Sequence, residues 1–338
     1  MSIISEEKKR EFDTNGYIIL KNTLDNTTIN KSIFAIDNIR AKCENYVYLF
    51  FRKFHDIALN DIYGIEHIFH PEIFDKEIFS SLMKSKVLEK SRELLNDENI
   101  FLSRNRIHCT NKISHSGYWH RDGTSGETND MDDQLKKSEK DIMWVQATLP
   151  YYYEDGFYVI PGSHKFSKDF IPSKEILGTK KILKNELRLE LFPGDLLLFN
   201  PFLIHRGTCA GGEKRKRAHV HMRFARKKYS KFAERYRKDK VFFKKTEVYN
   251  TANESWKKSF DLDLEDPIIW YGDEIIQKKP NMFTIKFYLK ILLILYNRLL
   301  YNLSRFYPFS QRSLENFSLI KYPFLKRNKL KTAIRNNQ

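Results

Sequence analysis

Cysteine is scarce in this sequence and forms no paired motif. The three cysteines among 338 residues are Cys43, Cys109 and Cys209, and no two of them are spaced as C-x-x-C. A disulfide framework needs an even set of cysteines, and a structural zinc site needs closely spaced thiolate or imidazole ligands. The scarcity therefore argues against both and favours a reducing, cytoplasmic compartment.

Long apolar stretches are also lacking. The first twelve residues are mostly polar and charged, with no apolar segment behind them of the kind that a secretory signal contains. The densest apolar run, residues 291–296, is far shorter than the roughly 20 residues that cross a bilayer as a helix. We therefore expect neither a secretory signal nor a transmembrane helix.

Acidic residues are too few to balance the basic ones, and the formal net charge is +16. Residues 213–245 hold fifteen Lys and Arg against three acidic residues, and residues 278–338 hold thirteen against one. Such segments predict an anionic partner: an anionic small molecule, a membrane surface or nucleic acid. Because residues 278–338 mix basic with aromatic and aliphatic side chains, they favour peripheral contact with the inner face of a membrane. A solvated basic helix is the alternative.

The pattern of apolar residues changes at residue 100. Before it, apolar residues recur at helical spacing, in a helix capped by Asp25 or Asn26 and in a second helix over residues 76–95. After it come short strands separated by Gly and Pro turns, at residues 100–109, 142–149, 157–160, 187–192, 195–199 and 217–224. This pattern predicts a mainly β sandwich or jelly-roll barrel over residues 100–226. Residues 1–99 then form a helical cover, and residues 227–338 form a basic, mostly helical extension.

Candidate metal ligands lie within the predicted strands. His120 and Asp122 are two positions apart, so on an extended segment their side chains project to the same face. His205 follows a buried strand 85 positions later. Two histidines and one carboxylate make the facial triad of non-heme Fe(II) oxygenases. Arg217, at the start of the next strand, is suited to bind the carboxylate of an oxo-acid co-substrate.

Several linked motifs together resemble one enzyme family. They are residues 12–20, Trp119 to Asp122, residues 155–165, residues 193–207 and Arg217. In this order they resemble the phytanoyl-CoA dioxygenase family of Fe(II)/2-oxoglutarate-dependent oxygenases, which includes ectoine hydroxylase. The resemblance covers about residues 10–226. Asp155 stands where the family usually has Asn, which we interpret as a variation in a turn.

The resemblance implies a double-stranded β-helix, or jelly-roll, dioxygenase. It also implies that His120, Asp122 and His205 bind iron and that Arg217 binds the distal carboxylate of 2-oxoglutarate. Because residues 214–217 are all basic, Arg215 is an alternative to Arg217. The implied reaction uses O₂ to hydroxylate a small-molecule, lipid-linked or sugar-type substrate, with release of succinate and CO₂. The carboxylate of Asp122 favours hydroxylation, because related halogenases lack it.

Other polar residues of the predicted strands are weaker candidates. His108 and Gln146 are candidates for contact with the co-substrate, and Arg106 for contact with the substrate. His219 and His221 could face the barrel interior. Each of these residues could equally be an ordinary hydrogen-bonded strand residue.

Two alternative functions remain open at this point. The basic segments are compatible with an oxygenase that acts on nucleic acid, although no known nucleic-acid-binding motif accompanies them. The same fold could also serve as a binding protein without catalysis, although the complete set of candidate ligands argues against this.

Overall fold

The computed structural model describes residues 3–44, 59–60, 64–71, 73–109, 115–122, 142–165, 178–209, 216–228 and 238–260. The described helices are α1 (Glu6–Asn15), α2 (Asn26–Glu44), α3 (Lys76–Lys84), α4 (Val87–Leu95), α5 (Lys238–Lys244) and α6 (Glu254–Ser259). The described strands are β1 (Tyr17–Leu20), β2 (Leu59–Asn60), β3 (Gly64–Glu66), β4 (Ile100–Cys109), β5 (His115–Ser116), β6 (Trp144–Pro150), β7 (Glu154–Val159), β8 (Leu187–Leu191), β9 (Leu196–Phe199), β10 (His205–Cys209) and β11 (Ala218–Arg226).

The strands form two antiparallel sheets. The larger sheet has the order β1-β9-β6-β11-β4-β3-β2, and the smaller has the order β5-β10-β7-β8. Neighbours in each sheet come from distant parts of the sequence, as in the pairing of β6 with β9 and of β7 with β10. Each predicted strand after residue 100 corresponds to an observed strand within a few residues.

Alternation along the strands of the larger sheet separates its two faces. On β6, Val145, Ala147 and Leu149 are buried in the main hydrophobic core together with residues of the helices. The alternate residues Gln146 and Thr148 carry polar side chains on the other face. Because side chains alternate along a strand, one face of the sheet is available for chemistry while the other is packed against helices.

The helices before β4 are stabilised at their ends. Asp25 caps α2, because its Oδ1 accepts a hydrogen bond from the backbone N–H of Thr28 at 2.7 Å.

The single helix expected over residues 76–95 is instead two helices. They are separated at Ser85 and Lys86, and Lys86 has a positive φ of 52° that interrupts the helical backbone.

The helices after β11 pack into the same core as the helices before β4. Phe243 of α5 and Trp256 of α6 are completely buried in it. The chain divides into two units, Met1–Ile268 and Ile269–Gln338, and every described residue belongs to the first. The boundary expected after residue 226 stays a prediction, and this packing favours a later one.

The membrane-binding helix predicted within residues 278–338 lies outside the described residues. In the part of the chain that the structure describes, no helix is long and apolar enough to cross a membrane.

Candidate metal centre

Two imidazoles and one carboxylate converge at the start of β10. His120, Asp122 and His205 each offer one ligand atom, and these atoms lie within 4.8 Å of one another. No other group of this kind occurs among the described residues. The Nε2 atom of His120 lies 3.9 Å from Oδ1 of Asp122, and Nε2 of His205 lies 3.4 Å from Oδ2.

Backbone hydrogen bonds bring the two histidines together across 85 positions of sequence. The N–H of His120 donates to the carbonyl of His205 at 2.9 Å, and the N–H of His205 donates back at 3.0 Å. The N–H of Asp122 donates to the carbonyl of Pro201 at 2.8 Å. The sequence predicts an extended segment here, whereas the structure has an isolated bridge at His120 and a turn at Asp122. The side chains therefore converge through a turn.

Both histidines present the same ring nitrogen to Asp122. Nδ1 of His120 lies 2.8 Å from the carbonyl oxygen of Tyr118, and Nδ1 of His205 lies 2.8 Å from that of Leu203. A carbonyl oxygen can only accept a hydrogen bond, so each Nδ1 carries a hydrogen and, in the neutral ring, Nε2 keeps its lone pair. This arrangement fixes the ring orientation and leaves Nε2 available to a metal ion.

Asp122 is held in its ionised form. Burial opposes ionisation, but the interactions with His205, with His120 and with the Gln146 amide hold the pKa of Asp122 well below its usual value. Nε2 of Gln146 donates to Oδ2 of Asp122, and Oε1 of Gln146 lies 2.8 Å from Nε2 of His221. Gln146 therefore orients the carboxylate.

The centre is buried on one side and open on the other. The rings of Phe157 and Phe199 each lie 5.2 Å from the ring of His205, centroid to centroid, and the His205 side chain is 5% exposed. The His120 side chain is 48% exposed. Desolvation nonetheless lowers the pKa of His120, and the nearby His205 adds to this effect, which favours the neutral ring.

This set of donors fits a divalent first-row metal ion. Two Nε2 lone pairs and a carboxylate that face one another are stabilised by a cation between them. Imidazole and carboxylate ligands in a 2:1 ratio on one side of an ion leave its remaining positions free for small molecules. It is the donor set that mononuclear Fe(II) sites with open positions use.

A family model described as phytanoyl-CoA dioxygenase (PhyH) matches residues 12–218, which is more than half of the chain and includes all three converging residues. The chain belongs to the phytanoyl-CoA dioxygenase family. It is a 2-oxoglutarate-dependent oxygenase, and iron, 2-oxoglutarate and O₂ are the reagents of its chemistry. The resemblance that the sequence motifs predict is thereby confirmed.

Solved structures with detectable similarity are distant in sequence. EctD from S. alaskensis with 2-oxoglutarate and 5-hydroxyectoine is 17% identical, with a TM-score of 0.47 over 67% of this chain and 77% of that one. The 2-oxoglutarate-dependent (alpha-ketoglutarate-dependent) epimerase SnoN from nogalamycin biosynthesis is 12% identical, with a TM-score of 0.45 over 65% and 80%. AviO1 from Streptomyces viridochromogenes Tue57 is 11% identical, with a TM-score of 0.43 over 67% and 96%. No curated protein matches the chain.

The other candidate residues of this family member lie mainly on the open face of the larger sheet. In the register of β4 with β11, Arg106 lies opposite His221 and His108 lies opposite His219. The rings of His108 and His219 are 4.6 Å apart, centroid to centroid. Burial is the main cause that lowers the pKa of all three histidines, so they are neutral at physiological pH. Arg106 and His108 thus share this face with Gln146.

Arg217 lies just before β11 and forms an ion pair that sequence reasoning missed. Its Nε donates to Oε2 of Glu154 at 2.5 Å, and Glu154 also lies 3.4 Å from Nδ1 of His219. Burial opposes ionisation of Glu154, but the nearby ring of His219 and the charge of Arg217 lower its pKa to about 2. Glu154 is therefore anionic and fixes Arg217. Arg215, the alternative, lies outside the described residues.

Two residues of the family motifs have structural contacts. Asp155 was expected in a turn, but it lies in β7 beside a register shift and forms an ion pair with Arg188 of β8. His164 lies in the turn at residues 161–165, and its Nε2 contacts the carbonyl of Asp13 at 3.1 Å. The only sequence signal for Glu154 was its place next to the Asp155-Gly156 motif.

Proposed function

We propose that this protein is an Fe(II)- and 2-oxoglutarate-dependent hydroxylase in which His120, Asp122 and His205 hold the iron. The observation that carries the proposal is the convergence of two Nε2 atoms and one ionised carboxylate in a site that is open on one side. We also propose that the two antiparallel sheets close into the double-stranded β-helix that the family resemblance implies. When bound, Fe(II) with 2-oxoglutarate and O₂ supplies the oxidation of a substrate C–H bond, with release of succinate and CO₂.

The residues of the chain orient the site and exclude water from part of it. The carbonyls of Tyr118 and Leu203 hold the two rings, and Gln146 holds the carboxylate. Phe157 and Phe199 cover the side of His205, where water would compete for open positions. The half-exposed side at His120 is then the entrance for the substrate.

Arg217 is the proposed partner of the distal carboxylate of 2-oxoglutarate. Arg217 and His219 both lie against Glu154. His221, two residues further along β11, contacts Gln146, which holds Asp122. A guanidinium binds a carboxylate through two parallel hydrogen bonds, and Glu154 holds this one in place. His108 and Gln146 are proposed to line the co-substrate site, and Arg106 is proposed to contact the substrate.

The proposed substrate is a small molecule, either free or linked to a lipid or a sugar, that carries an anionic group. The basic residues on the interior face and in residues 213–245 support this choice, because positive charge raises the local concentration of anions. Succinate formation separates this enzyme from a binding protein of the same fold that has no turnover.

The metal assignment is tested by single substitutions. His120→Ala, Asp122→Ala and His205→Ala should each abolish Fe(II)-dependent succinate formation from 2-oxoglutarate, because each removes one of three ligands. His164→Gln is the control, since His164 contacts a backbone carbonyl outside the cluster. Circular dichroism checks that the variants fold. Undiminished succinate formation by His205→Ala would overturn the assignment.

The co-substrate assignment is tested separately. Loss of one partner of a buried Arg–carboxylate pair costs roughly 2–5 kcal/mol, so Arg217→Ala should raise the 2-oxoglutarate requirement about tenfold or more. Its iron requirement should change little. Lys216→Ala is the control, because Lys216 lies over the ring of Tyr152. If Arg215→Ala raises the requirement and Arg217→Ala does not, the assignment is wrong by two residues.

A further inference from the structure

Arg206, the residue after His205, has its guanidinium buried between two aromatic rings. Its Cζ lies 4.7 Å from the centroid of the Trp119 ring and 4.8 Å from that of Tyr158. Trp119 immediately precedes His120, and Tyr158 is the cross-strand partner of Arg206 on β7. The side chain of Arg206 is only 7% exposed. Stacking on two rings fixes the plane of the guanidinium, which an ammonium group could not reproduce.

Glu186 neutralises this buried charge. Nη2 of Arg206 lies 2.9 and 3.1 Å from the two carboxylate oxygens of Glu186, and Nη1 donates to the carbonyl of Lys180 at 3.2 Å. Arg206 therefore joins β10 to residues 178–186, a segment that we call the clasp. Removing either partner of a buried ion pair leaves the other charge uncompensated, so both are needed.

Trp119 joins the clasp to the metal-binding segment. Its N–H donates to the carbonyl of Thr179, and its carbonyl accepts from the N–H of Gly178, both at 2.9 Å. Its indole Nε1 donates to the carbonyl of Lys181 at 2.8 Å. Backbone groups of successive residues in an extended segment point to opposite sides. Trp119 is therefore bonded to the clasp, while the next residue, His120, is bonded to β10.

We propose that Arg206, Glu186 and Trp119 act together as positioning residues that hold His120 and His205 at their metal-binding separation. The inference rests on the proposed iron site. The segments that carry the two histidines are paired only by short antiparallel contacts, namely the two-residue strand β5 with β10, one hydrogen bond from Gly117 to Gly207, and a single-residue bridge at the histidines themselves. Arg206 follows one histidine and stacks on the residue before the other, so a shift between the two segments breaks the stacking and the ion pair together.

The test is an anaerobic titration of the full-length protein with Fe(II) in the presence of 2-oxoglutarate, followed by visible absorption. Arg206→Gln and Glu186→Gln should each weaken Fe(II) binding about tenfold or more, the usual range for residues that orient metal ligands. Arg206→Lys keeps the charge but loses the planar fork, so it should not restore wild-type affinity. The 2-oxoglutarate requirement at saturating iron should change much less than the iron requirement.

Arg188→Gln is the control, at an arginine that is more exposed than Arg206. Arg188 also forms an Arg–carboxylate pair in the smaller sheet, with Asp155, but it joins β8 to β7 and not the two ligand-bearing segments. This variant should bind Fe(II) like the wild type. If it weakens binding as much as Arg206→Gln does, the effect is one of general stability and the inference is wrong.

Wild-type Fe(II) affinity in Arg206→Gln and Glu186→Gln would also overturn the inference. Should Arg206→Gln fail to fold, Glu186→Gln and Trp119→Phe decide the question, and each should weaken Fe(II) binding. Trp119→Phe keeps an aromatic ring, but it loses the bond to Lys181 and part of the ring that stacks on Arg206. If the wild-type protein binds no Fe(II), the proposed function itself is wrong. If the wild type and the variants bind Fe(II) equally well, only the positioning inference is wrong.

Discussion

At the scale of single residues, hydrogen-bond partners determine which side chains can serve the metal centre. His120 and His205 are prepared for a metal because backbone carbonyls occupy their Nδ1 atoms. His108 and His219 also lie in the interior of the site, but they lie beside each other and near Arg217, and not against the carboxylate of Asp122. Sequence alone could predict these three candidate ligands, because the H-x-D pattern and the histidine after a buried strand are local; their role as iron ligands stays a prediction. It could not assign Glu154 or Arg206, since their partners are set by the pairing of distant strands.

Glu154 makes the free energy of unfolding depend on pH. Its pKa is lowered from the ordinary value of 4.5 to about 2 in the folded protein. The stabilisation is therefore fully present above pH 4.5 and is lost as the pH falls towards about 2. Glu154→Gln should reduce the free energy of unfolding near pH 7 by an amount on the order of 3 kcal/mol, and should flatten its acid dependence. Urea unfolding at a series of pH values measures both effects.

Glu190→Gln is the control for this prediction. Glu190 is an exposed residue of β8 that accepts a hydrogen bond from the hydroxyl of Tyr153. A substitution of this kind should change the free energy of unfolding by about 0.5 kcal/mol or less. If Glu154→Gln is no more destabilising than Glu190→Gln, the buried ion pair does not stabilise the fold.

At the scale of elements, the strands were more predictable than the helices and the loops. Short apolar runs between Gly and Pro turns located most strands to within a few residues, because turn residues mark the limits of each strand. The break within residues 76–95 was not predictable, since nothing in that sequence marks Lys86 as a residue of positive φ. The convergence of His120 and Asp122 through a turn was likewise hidden, because the tertiary pairing with β10 determines the backbone there.

The loss of stability caused by Gly16→Ala measures how tightly the end of α1 is packed. Gly16 has a φ of 81°, and a Cβ atom added to it would lie 2.5 Å from Nδ1 of His164. Gly178 has the same φ, but a Cβ atom there would meet nothing within 4 Å. Gly178→Ala should therefore cost about 1–2 kcal/mol from backbone strain alone, and Gly16→Ala should cost clearly more. Urea unfolding compares them, and equal losses would mean that His164 moves aside freely.

At the scale of the whole molecule, the uneven charge is the feature that the family match does not explain. Residues 278–338 follow the matched segment 12–218 and hold thirteen basic residues against one acidic residue. Sequence composition predicts that they bind an anionic membrane surface, where each basic residue contributes about 1 kcal/mol. This contribution should fade at high salt, because the screening length falls to about 3 Å at 1 M.

Vesicle sedimentation tests this prediction. The full-length protein should sediment with phosphatidylserine-containing vesicles at low salt and much less at high salt. Changing Lys286, Lys290 and Arg298 together to Glu should abolish sedimentation, whereas the same change at three exposed lysines of the first unit should not. The control lysines are Lys31, Lys42 and Lys184. If the full-length protein does not sediment with these vesicles at low salt, residues 278–338 do not bind a membrane.

The position at which iron binds tests the proposed function most directly. The decisive measurement is a crystal structure of the full-length protein prepared without oxygen and soaked with Fe(II) and 2-oxoglutarate. The proposed function predicts one iron bonded to Nε2 of His120, Nε2 of His205 and a carboxylate oxygen of Asp122, with the distal carboxylate of 2-oxoglutarate against Arg217. Iron bound elsewhere, or bound without one of these three residues, would contradict it.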